Sequence, residues 1–136
     1  MGALIGWAVL LAFAAPLAEE LFFRGFMFGV LRERIGVAGG ALVTGVVFGL
    51  VHATGSPIKT LGVLVILGVL LCLLYVRTGS LLPCIALHAL NNSLSYAVTK
   101  DLTVLGAGAL MLGCTGAAVG VAVAVMRRSP APPRTL

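Results

Sequence analysis

Three short patterns in this chain bring together residue types that can move protons or hold a developing negative charge. Glu19 and Glu20 precede Arg24, Phe48 precedes His52, and His88 precedes Asn92, each inside a stretch that is otherwise apolar. An ionised side chain near the middle of a bilayer costs roughly 2.5–3.5 kcal/mol on insertion scales, so two carboxylates and a guanidinium within six residues need a purpose. Cleavage of a peptide bond by water would supply one. It needs a base to take a proton from the attacking water and donors to stabilise the tetrahedral oxyanion. A carboxylate in a cavity of low dielectric is a better base than one in water, and Glu19 suits that task. His52 can hold and polarise the same water. His88 and the Asn92 amide can donate to the oxyanion, and such donors contribute about 2.7–4 kcal/mol each in other hydrolases.

Helical spacing agrees with this division of labour. Residues four apart share a helix face, so Glu20 and Arg24 can pair, hold their helix and set the local field. Glu19, about 100° around the helix, then faces elsewhere. Phe48 can wall the His52 imidazole, and His88 and Asn92 can point at one target. Asn91, nearly a right angle from Asn92, is the weaker candidate. Taken singly, each pattern has a plainer reading: an intramembrane His packed on a backbone carbonyl, or Glu20 and Arg24 as a structural ion pair. A packing-only reading of all three needs several costly polar groups at one depth without a task.

The elements that must carry these residues are membrane helices. Of the 136 residues, 60% are hydrophobic and 10% charged, with a mean hydropathy of +1.16. A soluble domain carries about a quarter charged residues. Repeated apolar runs of about 17 residues or more fit a polytopic helical protein. The alternating strands of a membrane barrel are missing. The expected fold is therefore all-α, a polytopic transmembrane bundle of about five helices.

The first segment runs from about Ala3 to Leu31, with Pro16 predicting a kink just before the glutamates. Arg32-Glu33-Arg34 ends it, and Gly36 to Ala53 forms the second segment. Gly36, Gly40, Gly45 and Gly49 would let a neighbouring helix approach closely. The turn Thr54-Gly55-Ser56-Pro57 leads to the third segment, about Thr60 to Val76, and Arg77-Thr78-Gly79-Ser80 is the next turn. The fourth spans about Leu81 to Val98, and the fifth Leu102 to Met126. Residues 1–126 are thus read as one membrane core and residues 127–136 as a basic, proline-rich tail. Phe22, Phe23, Phe26 and Phe28 read as lipid-facing or core residues, and Trp7 and Tyr96 as interface anchors.

The net charge of +5 does not imply a nucleic-acid partner, because the nine Lys and Arg sit mostly at segment ends. Arg32, Arg34, Arg77, Arg127, Arg128 and Arg134 gather on one side and only Lys59 and Lys100 on the other, which predicts a cytoplasmic carboxyl end. Cys72, Cys84 and Cys114 are widely spaced in apolar spans and read as packing residues. A run that continues directly into charged residues, with no basic region before it, does not read as a cleavable signal peptide. Measured from the cytoplasmic ends, Glu19 lies about 18 Å deep, His52 about 24 Å, His88 about 10 Å and Asn92 about 17 Å. Segments one, two and four therefore place them in one slab inside the membrane.

Glu-Glu-x-x-x-Arg, Phe-x-x-x-His and His-x-x-x-Asn, in this order on successive polar-bearing segments, resemble the CPBP family of intramembrane proteases. That family covers the CAAX prenyl-protein endopeptidases and the bacteriocin-processing or immunity-related Abi proteins. The matching positions are Glu19, Glu20, Arg24, Phe48, His52, His88 and Asn92, within about Pro16 to Leu94. Many members carry more helices. The resemblance implies glutamate-dependent hydrolysis without a metal, acting on a membrane-anchored peptide or protein substrate amid membrane lipids. Prenylated substrates would follow only by analogy.

Other readings stay open at this point. Glu19, His52 and His88 could hold zinc with an open fourth position, giving a metalloendopeptidase. Against this, no His-Glu-x-x-His helix is present. Glu and His inside a membrane also serve proton relays, and a related fold could act as a non-catalytic binding or immunity protein. The broken, pseudo-symmetric halves of a transporter are missing. A bias toward Ala, Gly, Val and Arg over Lys points to a GC-rich bacterial genome, hence a bacterial plasma membrane.

Overall fold

The computed structural model describes residues 14–53 and 58–100 continuously, with isolated positions at 6 and 10 and between 103 and 124. Every element among the described residues is helical: α1 (Ala15–Glu20), a π-helical segment (Leu21–Met27), α2 (Phe28–Val51), α3 (Ile58–Thr78) and α4 (Leu82–Thr99). The expectation of about five helices is corrected here to three long ones among the described residues. Helical backbone carries past Arg32-Glu33-Arg34 and breaks two residues later at Gly36, where the first two expected segments meet. The fifth segment falls mostly outside the described residues, as do Trp7, Cys114 and the tail from Arg127. Two runs, Ala15–Val51 and Thr60–Thr78, are long and apolar enough to cross a membrane.

The long run is bent back on itself at Gly36. This residue has φ 76° and ψ 171°, a region of backbone space that is essentially reserved for glycine. The consequence shows at Gly40, where an added Cβ would lie 2.9 Å from the Arg32 nitrogen. In a straight helix those residues would be about 12 Å apart. Residues 18–35 and 37–51 therefore form two legs of a helical hairpin.

The chain divides into two compact units. Ala18–Cys84 holds the hairpin and α3. The hairpin's second leg packs on α3 through glycine: a Cβ on Gly45 would meet a Val69 methyl at 2.6 Å, and one on Gly49 a Val65 methyl at 2.5 Å. Gly40, by contrast, faces the first leg, so the glycine series serves two partners. Phe28, Ala41 and Cys72 form the buried core, with Val69 and Tyr75 packed against it. Phe23 is buried too, whereas Phe22 and Phe26 are exposed, as are Leu42, Leu50, Val63, Ile66 and Leu70. Such an apolar exterior suits lipid rather than water.

The end of α3 follows from its sequence. Gly79 takes φ 62°, and its N–H donates to the Tyr75 carbonyl at 2.8 Å, a left-handed glycine cap. Ser80 Oγ then accepts from the Leu82 N–H at 3.2 Å and starts α4. Cys84 Sγ donates to the Leu71 carbonyl at 3.4 Å, and both thiols, Cys72 and Cys84, are free and buried.

Met1–Leu17 and Ile85–Leu136 form the other unit, so the division falls within α4. On α4, Ile85, His88, Ala89, Ser93 and Ala97 are buried. They recur every three or four residues, the period of one helix face.

Candidate active site

Within Ala18–Cys84, Glu20 and Arg24 form a fully buried ion pair, Arg24 Nη1 to Glu20 Oε1 at 2.7 Å. The same guanidinium donates through Nη2 to the Gly68 carbonyl at 3.0 Å. It also lies 4.8 Å from the Phe48 ring centroid and 5.8 Å from that of Phe23. Arg24 therefore ties both legs of the hairpin and α3 together. Its backbone belongs to the π-helical segment, where the Phe28 N–H reaches back five residues to the Phe23 carbonyl. Helical backbone continues through Pro16, and π-helical geometry occurs both before it, at Ala14, and after the glutamates, over Leu21–Met27. A π segment of this kind often marks a functional site.

With Glu20 engaged, Glu19 turns to the second leg. Its Oε2 lies 3.7 Å from His52 Nε2, and both side chains are partly accessible, 26% and 30%. That separation is too long for a direct hydrogen bond. His52 is fixed from its other side: Nδ1 lies 2.7 Å from the Phe48 carbonyl, which only accepts, so Nδ1 carries the proton. In the neutral ring Nε2 then presents its lone pair to Glu19. The Phe48 ring stands 4.8 Å from the imidazole, centroid to centroid, and 5.1 Å from Phe23. His52 closes the end of α2 as its C-cap.

His88 and Asn92 lie in the other unit, on α4. His88 is buried and Asn92 partly so, and Asn91 Nδ2 donates to Asn92 Oδ1 at 3.4 Å. The structure thus brings Glu19 to His52 and joins Glu20, Arg24 and Phe48, while His88 and Asn92 share a helix of their own. Gly68 is the residue that sequence reasoning missed. It acts through a backbone carbonyl, which leaves no side-chain signature. Its position opposite Gly45 on a small-residue face is the trace that could have pointed to it.

Among the described residues, no three His, Cys, Asp or Glu side chains gather as a metal ion would require. Glu19 and His52 make two donors, fewer than the three protein ligands of a hydrolytic zinc.

Comparison with known proteins adds the family. The profile of the Type II CAAX prenyl endopeptidase Rce1-like family matches residues 2–94. The chain belongs to this family, the CAAX branch of the resemblance drawn from its motifs. It is 37% identical over 76 residues to an Escherichia coli protein named "Uncharacterized 24.3 kDa protein", covering 54% of this chain and 35% of that one. It is 33% identical over 78 residues to the "Putative membrane peptidase YdiL" of Bacillus subtilis (strain 168), covering 57% of this chain and 31% of that one. The chain spans about a third of the length of these relatives. No solved structure matches. Family membership and the apolar helices together make this an integral membrane protein.

Proposed function

We propose that this chain carries the catalytic core of an intramembrane endopeptidase that hydrolyses a membrane-proximal peptide bond. The observation that carries the reading is the facing of Glu19 and His52 across 3.7 Å. Glu19 takes the proton from a water held between them, and His52, locked by the Phe48 carbonyl, orients that water. The water oxygen attacks the scissile carbonyl, and the proton on Glu19 passes to the departing amine. His88 and Asn92 supply donors for the oxyanion, a role supported by their residue types and four-residue spacing. Glu20 and Arg24 hold the first leg in register.

Hairpin length supports a buried site. The second leg has 15 residues, 37–51, or about 22 Å of helix. That is shorter than the roughly 30 Å hydrocarbon core. With Arg32 and Arg34 at the headgroup level, His52 stays inside the bilayer. The excess of basic residues at one set of segment ends supports a cytoplasmic carboxyl end, and a bacterial plasma membrane remains the expected setting. The whole bundle, on this reading, is polytopic. A peptide close to a protein's carboxyl end is the substrate class, as the family description suggests.

The test is cleavage of a membrane-anchored peptide library by reconstituted protein. Wild type should cut, whereas Glu19→Gln and His88→Ala should insert normally and fail to cut. Unchanged cleavage in either variant contradicts the role assigned to that residue. Activity should survive a chelator, and loss that zinc restores would favour the metal route instead.

A further inference from the structure

The turn at Gly36 closes the hairpin some 15 residues, or about 22 Å, from the Glu19–His52 pair, and it carries a charged cluster that proteolysis does not use. Arg32, Glu33 and Arg34 precede Gly36, and Arg77 lies in the last turn of α3; all four are exposed. Three arginines against one glutamate leave a local excess of positive charge.

One of these arginines is held in place. Arg32 Cζ lies 5.9 Å from the Phe28 ring centroid and 5.8 Å from that of Tyr75. The two rings pack edge to face at 6.3 Å. This contact joins the first leg to α3 at one level, and Arg77 follows Tyr75 by two residues, about 3 Å along the helix and about 200° around it. A guanidinium resting on aromatic faces keeps the N–H groups on its edge available, a planar fork matched to phosphate oxygens. Beside the cluster, Val30, Ile35, Val37 and Val76 are exposed.

We propose that Arg32, on its platform of Phe28 and Tyr75, forms a headgroup site for an anionic phospholipid, with Arg34 and Arg77 adding positive charge around it. Arg32 takes the phosphate, and the acyl chains cover the neighbouring valines and isoleucine. A soluble phosphoester would meet the same arginines and leave that apolar rim uncovered, which is why the lipid is the ligand. Arginines at span ends also set topology, but that role needs charge alone and no particular acceptor.

The experiment titrates the delipidated full chain, in neutral detergent, with phosphatidylglycerol, phosphatidylcholine or glycerol 3-phosphate, and reads the thermal unfolding midpoint. Phosphatidylglycerol should raise the midpoint, and the other two should leave it nearly unchanged. Arg32→Gln and Arg77→Gln should each remove at least half of the rise. Arg32→Lys, which keeps the charge and loses the fork, should also weaken it. Arg127→Gln, the same charge removed from the tail, should leave it intact. Because the readout is the lipid-dependent difference within each variant, a lower starting stability does not blur it. Arg77→Gln serves alone if Arg32→Gln does not fold. An equal response to phosphatidylcholine, an equal loss in Arg127→Gln, or a full rise with glycerol 3-phosphate would overturn the proposal.

Discussion

Arg24 on the hairpin's first leg donates to the backbone carbonyl of Gly68 on α3 at 3.0 Å, both groups buried. The bond is possible because α3 approaches the second leg with no side chain between. A Cβ on Gly68 would lie 2.8 Å from the Gly45 Cα and 3.2 Å from the Phe48 Cβ.

Gly68→Ala should therefore push α3 off the hairpin and draw the carbonyl away from Arg24. A loss of about 1–3 kcal/mol is expected from overpacking alone. Gly62→Ala, on the same helix with nothing within 4 Å, should be neutral or stabilise by up to ~1 kcal/mol. Thermal unfolding of the two variants side by side checks this, and equal effects would contradict the close-packing account.

The ion pair makes a second prediction. Removing one partner of a buried pair leaves the other charge uncompensated and costs about 3–5 kcal/mol. Glu20→Gln and Arg24→Met should each destabilise strongly. The double variant Glu20→Leu with Arg24→Met should be milder than the sum of the two. Unfolding midpoints of the three variants measure the coupling.

Gly36 gives a third. Its φ of 76° with ψ 171° strains any other residue, although nothing lies within 4 Å of its Cβ position. Gly36→Ala should cost about 1–3 kcal/mol through the backbone alone. It should also lower activity by loosening the register that sets Glu19 beside His52. Gly29→Ala, equally uncrowded on the first leg, should do neither. Activity and unfolding measured on both variants separate backbone strain from a general effect of added bulk.

Residue chemistry was the most readable part of the sequence. An ionisable group in an apolar run is costly enough that Glu19, Glu20, Arg24 and His52 stand out without any structure. Spacing of four was enough to anticipate the Glu20–Arg24 pair and the Phe48 wall on His52. Gly36 marked a segment boundary, but only coordinates show that the chain reverses there. The π-helical segment at Leu21–Met27 left no mark, because neither its apolar residues nor Arg24 and Gly25 carry a spacing that separates π from α geometry. The Gly68 carbonyl was invisible for a similar reason: every residue has one. Arg32 on Tyr75 was hidden because arginines at span ends already had an explanation.

The central claim is that Glu19 and His52 act on one water, and a double-mutant cycle tests it most directly. Cleavage rates of Glu19→Gln, His52→Gln and the double variant would be measured on one membrane-anchored peptide. Each single change should lower the rate about 10²–10⁴-fold, the range of general acid–base catalysis. The double variant should be no slower than the slower single, since residues acting as a unit are lost together. Losses that multiply in the double variant would mean the two residues work separately, and the shared-water account would be wrong.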